Sequence, residues 1–120
     1  MPPITTHVLD TSSGKPAANL RIVLEKCTQE PQEDGGEFSW EPVNETMTNA
    51  DGRSPEISAG LAIEPSVYRC LFFTQQYFNA VGTATFYPRV EVMFRIMDVD
   101  SHYHIPLLLS PYGYSTYRGS

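Results

Sequence analysis

His102-Tyr103-His104-Ile105-Pro106-Leu107-Leu108-Leu109-Ser110-Pro111-Tyr112-Gly113-Tyr114-Ser115-Thr116-Tyr117-Arg118-Gly119-Ser120 closes this chain of 120 residues. A frayed end is ordinarily polar, small and poor in aromatics. This one is apolar, aromatic and carries two of the chain's three histidines. Two extended segments flank Ser110-Pro111-Tyr112-Gly113, a Pro/Gly turn signal. A terminal strand tied into a sheet is therefore expected. Side chains alternate across a strand, so Tyr103, Ile105, Leu107 and Leu109 share one face and His102, His104, Pro106 and Leu108 the other. The first set makes the better core face. The second is more apolar than contact with water requires, and a further subunit is expected to cover it.

Outward from this end, the clearest alternation in the chain runs over 89–97. There Val90, Val92, Phe94 and Ile96 interleave with Arg89, Glu91, Met93 and Arg95. Further strands are expected at 5–10, 20–27, 38–46 and 66–73. In the first of these, His7 and Leu9 share one face, and Thr6, Val8 and Asp10 the other. Residues 11–16 read as a turn cluster, 28–37 as an acidic exposed loop, and 48–52 as a tight turn leading directly into Arg53. One short helix is expected after Thr74, which can cap it, with Gly82 as its stop. Seven or eight short strands with a turn about every dozen residues indicate an all-β sandwich, and residues 1–120 read as a single domain.

Composition excludes several functions. Hydrophobic residues make up 41% of the chain and charged residues 18%, which is incompatible with global disorder. The net charge is −6, and an acidic surface is poorly suited to nucleic-acid phosphates. Cys27 and Cys70 lie within apolar segments and read as buried thiols, with no metal-ligand spacing around them. No apolar run approaches the ~20 residues of a membrane helix. No leader or C-terminal address is visible, so a cytoplasmic protein is expected, with the peroxisome as the alternative.

The residues available for chemistry are few. His7 and His104 are either solvated strand residues or, if they converge in space, a site; spacing does not decide between these. Arg53 is either a solvated residue at a strand start or a side chain aimed by the preceding turn. Tyr117, Arg118 and Ser120 by themselves form an ordinary polar terminus. No nucleophile elbow, phosphate loop or zinc motif is present.

Several of these stretches together carry a resemblance. Ile4-Thr5-Thr6-His7-Val8-Leu9-Asp10 with Gly14-Lys15-Pro16-Ala17, Thr48-Asn49-Ala50-Asp51-Gly52-Arg53, Tyr77-Phe78 with Gly82, Phe86-Tyr87-Pro88, and above all His102-Tyr103-His104 through Tyr117-Arg118-Gly119-Ser120 resemble the 5-hydroxyisourate hydrolase branch of the transthyretin-like family. The loop at 29–37 departs from the family by its length. The resemblance implies a transthyretin-like two-sheet β-sandwich with one short helix, assembled as a homotetramer, a dimer of dimers with active sites at the mouths of a central channel.

It further implies hydrolysis of 5-hydroxyisourate to 2-oxo-4-hydroxy-4-carboxy-5-ureidoimidazoline, in the degradation of urate to allantoin. His7, Arg53, His104 and Ser120 are the implied catalytic residues. His7, Arg53, Tyr117 and Arg118 are the implied substrate contacts, and neither metal nor cofactor is expected. His102 is left outside the site. Two other readings are a transthyretin-like carrier of small aromatic ligands without catalysis, and a monomeric β-sandwich interaction module.

Overall fold

Alternating apolar positions become two four-stranded sheets that share one apolar core. The computed structural model describes residues 3–119. In chain order the elements are β1 (Ile4–Asp10), β2 (Lys15–Pro16), β3 (Arg21–Gln29), β4 (Ser39–Met47), β5 (Ser66–Phe72), α1 (Thr74–Ala80), β6 (Val90–Ile96), β7 (Tyr103–Ser110) and β8 (Gly113–Thr116). One sheet has the order β2-β1-β7-β8 and the other β4-β3-β5-β6.

The expected strands all form. The turn cluster at 11–16 ends in a two-residue strand, β2, because Leu9 and Asp10 pair with Pro16 and Lys15. The acidic loop also begins later than expected, since β3 runs on to Gln29, which pairs with Ser39 past a bulge. Thr74 does not cap the helix. Phe73 occupies the cap position without a side-chain hydrogen bond, and the Thr74 hydroxyl donates to the Tyr87 carbonyl at 3.4 Å. Gly82, in the left-handed region at φ 74°, ends the helix; the Thr83 amide then returns to the Phe78 carbonyl.

Tyr103, Ile105, Leu107 and Leu109 are all buried, as their shared face predicts. Ile4, Val8, Leu107 and Leu109 of one sheet join Ile22, Leu24, Cys70, Phe72 and Val90 of the other in a single cluster. Each fully buried aliphatic or aromatic side chain there contributes about 1.5–3 kcal/mol relative to exposure. Cys27 and Cys70 are buried and unpaired. No helix among the described residues is long and apolar enough to cross a membrane.

The two outer faces differ. Ion pairs such as Arg21–Glu45, Arg69–Glu25 and Arg95–Glu30 dress the β3-β5-β6 side. The exposed pairs among these, Arg21–Glu45 and Arg95–Glu30, contribute little to stability, but they mark a water-facing surface. The outer face of the β1-β7 sheet instead carries Thr5, His7, Leu9, His104, Pro106 and Leu108. Of these, Pro106 is already buried within the single chain.

The pairing that places the site is β1 with β7. It is parallel, with Thr5 opposite His104 and His7 opposite Pro106. The first and last long strands of the chain thus lie side by side and bring their outward histidines onto one surface.

Candidate active site

The turn before Arg53 is built by Asn49. Its Oδ1 accepts from the amides of Asp51 at 3.0 Å and Arg53 at 3.1 Å, and its backbone exchanges hydrogen bonds with Gly52 and Arg53. Gly52 sits at φ 73° with its missing side chain against β1; a Cβ there would fall on the Val8 carbonyl oxygen. Only glycine satisfies both the left-handed backbone and this close approach. The Val8 amide then donates to Gly52 O at 2.8 Å and the Ser54 amide to Thr6 O at 3.2 Å. This clamps the turn along the edge of β1, where Arg53 and His7 form an isolated antiparallel bridge.

The same turn orients His7. Its Nε2 lies 2.9 Å from the Asp51 carbonyl oxygen. A carbonyl only accepts, so Nε2 carries the proton in the neutral ring and Nδ1 keeps a lone pair.

His104 is held from two sides. Its Nδ1 lies 2.8 Å from Thr5 Oγ1, and the chain end folds back so that the Gly119 amide donates to the His104 carbonyl at 2.8 Å. A Cβ on Gly119 would stand 2.5 Å from His104 Cδ2. Nε2 of His104 makes no hydrogen bond with the described residues. The imidazole is held below its ordinary pKa of 6.5, first by burial and then by the charges of Arg53, His102 and His7, against a smaller opposing hydrogen bond at Thr5. At neutral pH His104 therefore stands ready as a neutral base.

The structure brings His7, Arg53 and His104 to one face, with the Gly119 backbone beneath the His104 ring. Each histidine has one nitrogen anchored and the other without a hydrogen-bond partner among the described residues, available to take or give a proton. No described carboxylate forms an ion pair with Arg53. A neutral His104 beside a second imidazole and a guanidinium that has no ion-pair partner among the described residues suits proton transfer next to a growing negative charge.

The tail residues are placed differently. Tyr117 is 60% exposed. With Arg118 it lines a cavity of about 350 Å³ whose walls include Phe94, Tyr103 and Ile105. The Arg118 guanidinium lies 4.4 Å from the centre of the Tyr103 ring, a cation–π contact. Tyr103 points into the core, so Arg118 is held on the opposite side of β7 from His104 and is not gathered with the other site residues in this single chain. Ser120 lies outside the described residues.

Sequence reasoning left His102 outside the site, passed over Thr5 and the Asp51 carbonyl, and named Gly119 only within the chain-end motif. Thr5 Oγ1 also lies 2.9 Å from His102 Nε2, and the two histidine rings stand 6.3 Å apart, nearly parallel. Thr5 meets them only because β1 and β7 pair in parallel, and nothing local in the sequence announces that. Gly119 did carry a signal: it stands within the Tyr117-Arg118-Gly119-Ser120 ending on which the resemblance rests.

Fold and site together define a transthyretin-like β-sandwich that carries a histidine–arginine cluster on the outer face of one sheet. The chain belongs to the HIUase/Transthyretin family, whose model matches residues 4–119. It is 42% identical over 118 residues to 5-hydroxyisourate hydrolase of Mus musculus, covering 98% of this chain and 95% of that protein. The structure of Klebsiella pneumoniae 5-hydroxyisourate hydrolase matches with a TM-score of 0.81 at 32% identity over the whole of both chains. Sea bream transthyretin in complex with thyroxine matches with a TM-score of 0.84 at 29% identity, covering 98% and 94% of the two chains. Backbone similarity therefore does not separate the hydrolases from transthyretin, and the side chains on the outer face must be weighed.

Proposed function

We propose that this chain hydrolyses 5-hydroxyisourate to 2-oxo-4-hydroxy-4-carboxy-5-ureidoimidazoline, within the degradation of urate to allantoin. The observation that carries this reading is the pairing of a neutral, anchored His104 with Arg53 and His7 on one face. A ligand carrier needs no such set, since binding an aromatic molecule calls for shape and apolar area rather than two proton carriers.

Opening the six-membered ring requires water activation, stabilisation of an oxyanion and protonation of the departing nitrogen. His104 Nε2 takes a proton from water as the oxygen adds to the ring carbonyl carbon. Arg53 stays charged throughout and holds the developing oxyanion by forked hydrogen bonds. The carbon–nitrogen bond then breaks, and the nitrogen receives a proton. His7 contributes binding and proton transfer through Nδ1, the nitrogen that Asp51 leaves open. Tyr117 and the terminal residues through Ser120 orient the ring, with Arg118 as a further contact in the assembled protein.

The working unit in this reading is a homotetramer, a dimer of dimers. Two observations support it. The outer face of the β1-β7 sheet carries Leu9, Pro106 and Leu108 around the histidines. In addition, β6 and β8 end their sheets as unpaired edges, and exposed edges are ready templates for pairing with another chain. A second subunit over the outer face would enclose the site and exclude bulk water, which strengthens every electrostatic contact within it.

The test is direct. 5-Hydroxyisourate is generated from urate with urate oxidase, the protein is added, and the ultraviolet absorbance of the intermediate is followed. Decay faster than the spontaneous rate is expected; an unchanged decay would favour the carrier.

A further inference from the structure

Thr5 Oγ1 sits between two imidazoles, 2.8 Å from His104 Nδ1 and 2.9 Å from His102 Nε2. A hydroxyl carries one hydrogen, so it donates to one ring nitrogen and must accept from the other. The protonation states of the two histidines are thereby linked: only two arrangements of the neutral triad satisfy both hydrogen bonds. In one, His104 donates from Nδ1 and Thr5 donates to His102. In the other, His102 donates from Nε2 and Thr5 donates to His104.

Hydrolysis selects the first. Water activation needs a lone pair on His104 Nε2, which places the neutral ring's proton on Nδ1 and orients the Thr5 hydroxyl toward His102. We propose that Thr5 and His102 form a proton relay behind His104, by which the proton taken from water at His104 Nε2 is matched by transfer to His102. This direction rests on the hydrolytic reading, whereas the hydrogen-bonded triad does not.

The transfer balances. As water loses a proton to His104 Nε2, its oxygen forms the new bond to the ring carbonyl carbon. The Nδ1 proton of His104 passes to Thr5 Oγ1, the Thr5 hydrogen passes to His102 Nε2, and His102 becomes the imidazolium. When the carbon–nitrogen bond breaks, the chain runs in reverse and His104 Nε2 returns its proton to the departing nitrogen.

The surroundings explain why the charge should move. A protonated His104 would face Arg53 from the Asn49–Arg53 turn and His7 from β1, in a partly buried position that already disfavours its charged form. Gly119, packed on the ring, offers no side chain to compensate. Arg118 is held on the other side of β7 against Tyr103. His102 stands one position outside β7, so passing the charge to it removes one cation from the Arg53 neighbourhood. In this scheme Thr5 and His102 position and relay; they do not touch the substrate.

The experiment uses the full chain with ¹⁵N-labelled histidine, comparing wild type with Thr5→Val, Thr5→Ser and His102→Gln. Thr5→Val keeps the β-branched shape suited to a strand and removes only the hydroxyl. The expected wild-type spectrum shows Nδ1–H tautomers for both His102 and His104, with coupled titrations. Thr5→Val should uncouple them, lower kcat on the order of 10-fold with little change in KM, and shift the acid limb of the pH–rate profile. His102→Gln should lower kcat similarly, and Thr5→Ser should restore both rate and profile.

An active wild type whose kcat and pH profile survive Thr5→Val and His102→Gln would overturn the relay while leaving the hydrolase reading intact. So would an Nε2–H tautomer at His104. A wild type without hydrolase activity would remove the functional reading and the relay with it.

Discussion

Gly119 lies under the imidazole of His104 so closely that one added carbon would displace the ring. A Cβ would stand 2.5 Å from Cδ2, 3.1 Å from Cγ and 3.2 Å from Cβ of His104. The first of these distances is shorter than real Cβ contacts, the other two are tight, and His104 is held on its other side by Thr5. The end of the chain is thus a wall of the site as well as a closing segment of the sheet.

Gly119→Ala should therefore impair catalysis more than folding. The tail is exposed around this position and forms little of the core, so the melting temperature should change by only a few degrees. A misplaced base costs on the order of 10²-fold in rate. Deleting residues 117–120 should abolish turnover altogether. Steady-state assays on folded variants check both, and a truncated chain of full activity would show the tail to be structural only.

Arg53→Ala and His104→Ala should each lower turnover by a factor on the order of 10² or more with the fold intact. Arg53→Lys should recover only part of the loss, because an ammonium keeps the charge and loses the forked geometry. Circular dichroism alongside initial rates separates a chemical defect from unfolding.

The depressed pKa of His104 sets the direction of the pH response. Its folded value lies below 6.5, so the base form persists at mildly acidic pH and is lost only as pH falls through the lowered value. The acid limb of kcat/KM should accordingly lie below about 6.5. The stability contribution has the matching sign. The unfolded chain binds the proton more readily, so acidification through this range destabilises the native state and raising the pH relieves the penalty. A limb centred above 6.5 would contradict His104 as the base.

A second pH response, this one from a carboxyl, belongs to the core. Burial of Asp10 favours its neutral form, but hydrogen bonds from Ser12, Tyr77 and Ser13 outweigh that and lower its pKa. The Tyr77 hydroxyl donates to Asp10 Oδ2 at 2.7 Å, which ties α1 to the end of β1. Stability from this group is present above the unfolded carboxylate value and is lost as pH falls through the folded one. Tyr77→Phe should cost about 1–3 kcal/mol and leave kcat nearly unchanged, as read by urea denaturation and by assay.

Leu108→Asp tests the assembly. It places a charge on the outer face of β7 beside Pro106 and His104, where burial by another subunit would leave that charge unpaired at a cost of several kcal/mol. Sedimentation should show a four-chain wild type and a smaller variant with reduced activity. A monomeric wild type would argue for the interaction-module reading.

Much of this molecule was legible in its sequence. The alternation of Val90 to Ile96 and of Tyr103 to Leu109 named the core faces, because a side chain's face follows from its position parity once a strand is assumed. The family resemblance carried by the first strand, the Asp51-Gly52-Arg53 turn and the chain-end motif pointed to His7, Arg53 and His104, where spacing alone left them open. What local pattern could not supply was adjacency. That β1 and β7 run parallel, with Thr5 against His104, is a long-range choice of sheet order, and it alone joins His102 to the site. The packing of Gly119 on His104 and the diversion of Arg118 to Tyr103 depend equally on where the returning tail lies across β7. The sequence alone determined which residues face inward and which chemistry was on hand. Only the tertiary structure decided which of those groups share a hydrogen bond, because hydrogen bonds act over about 3 Å and the partners here are brought together from opposite ends of the chain.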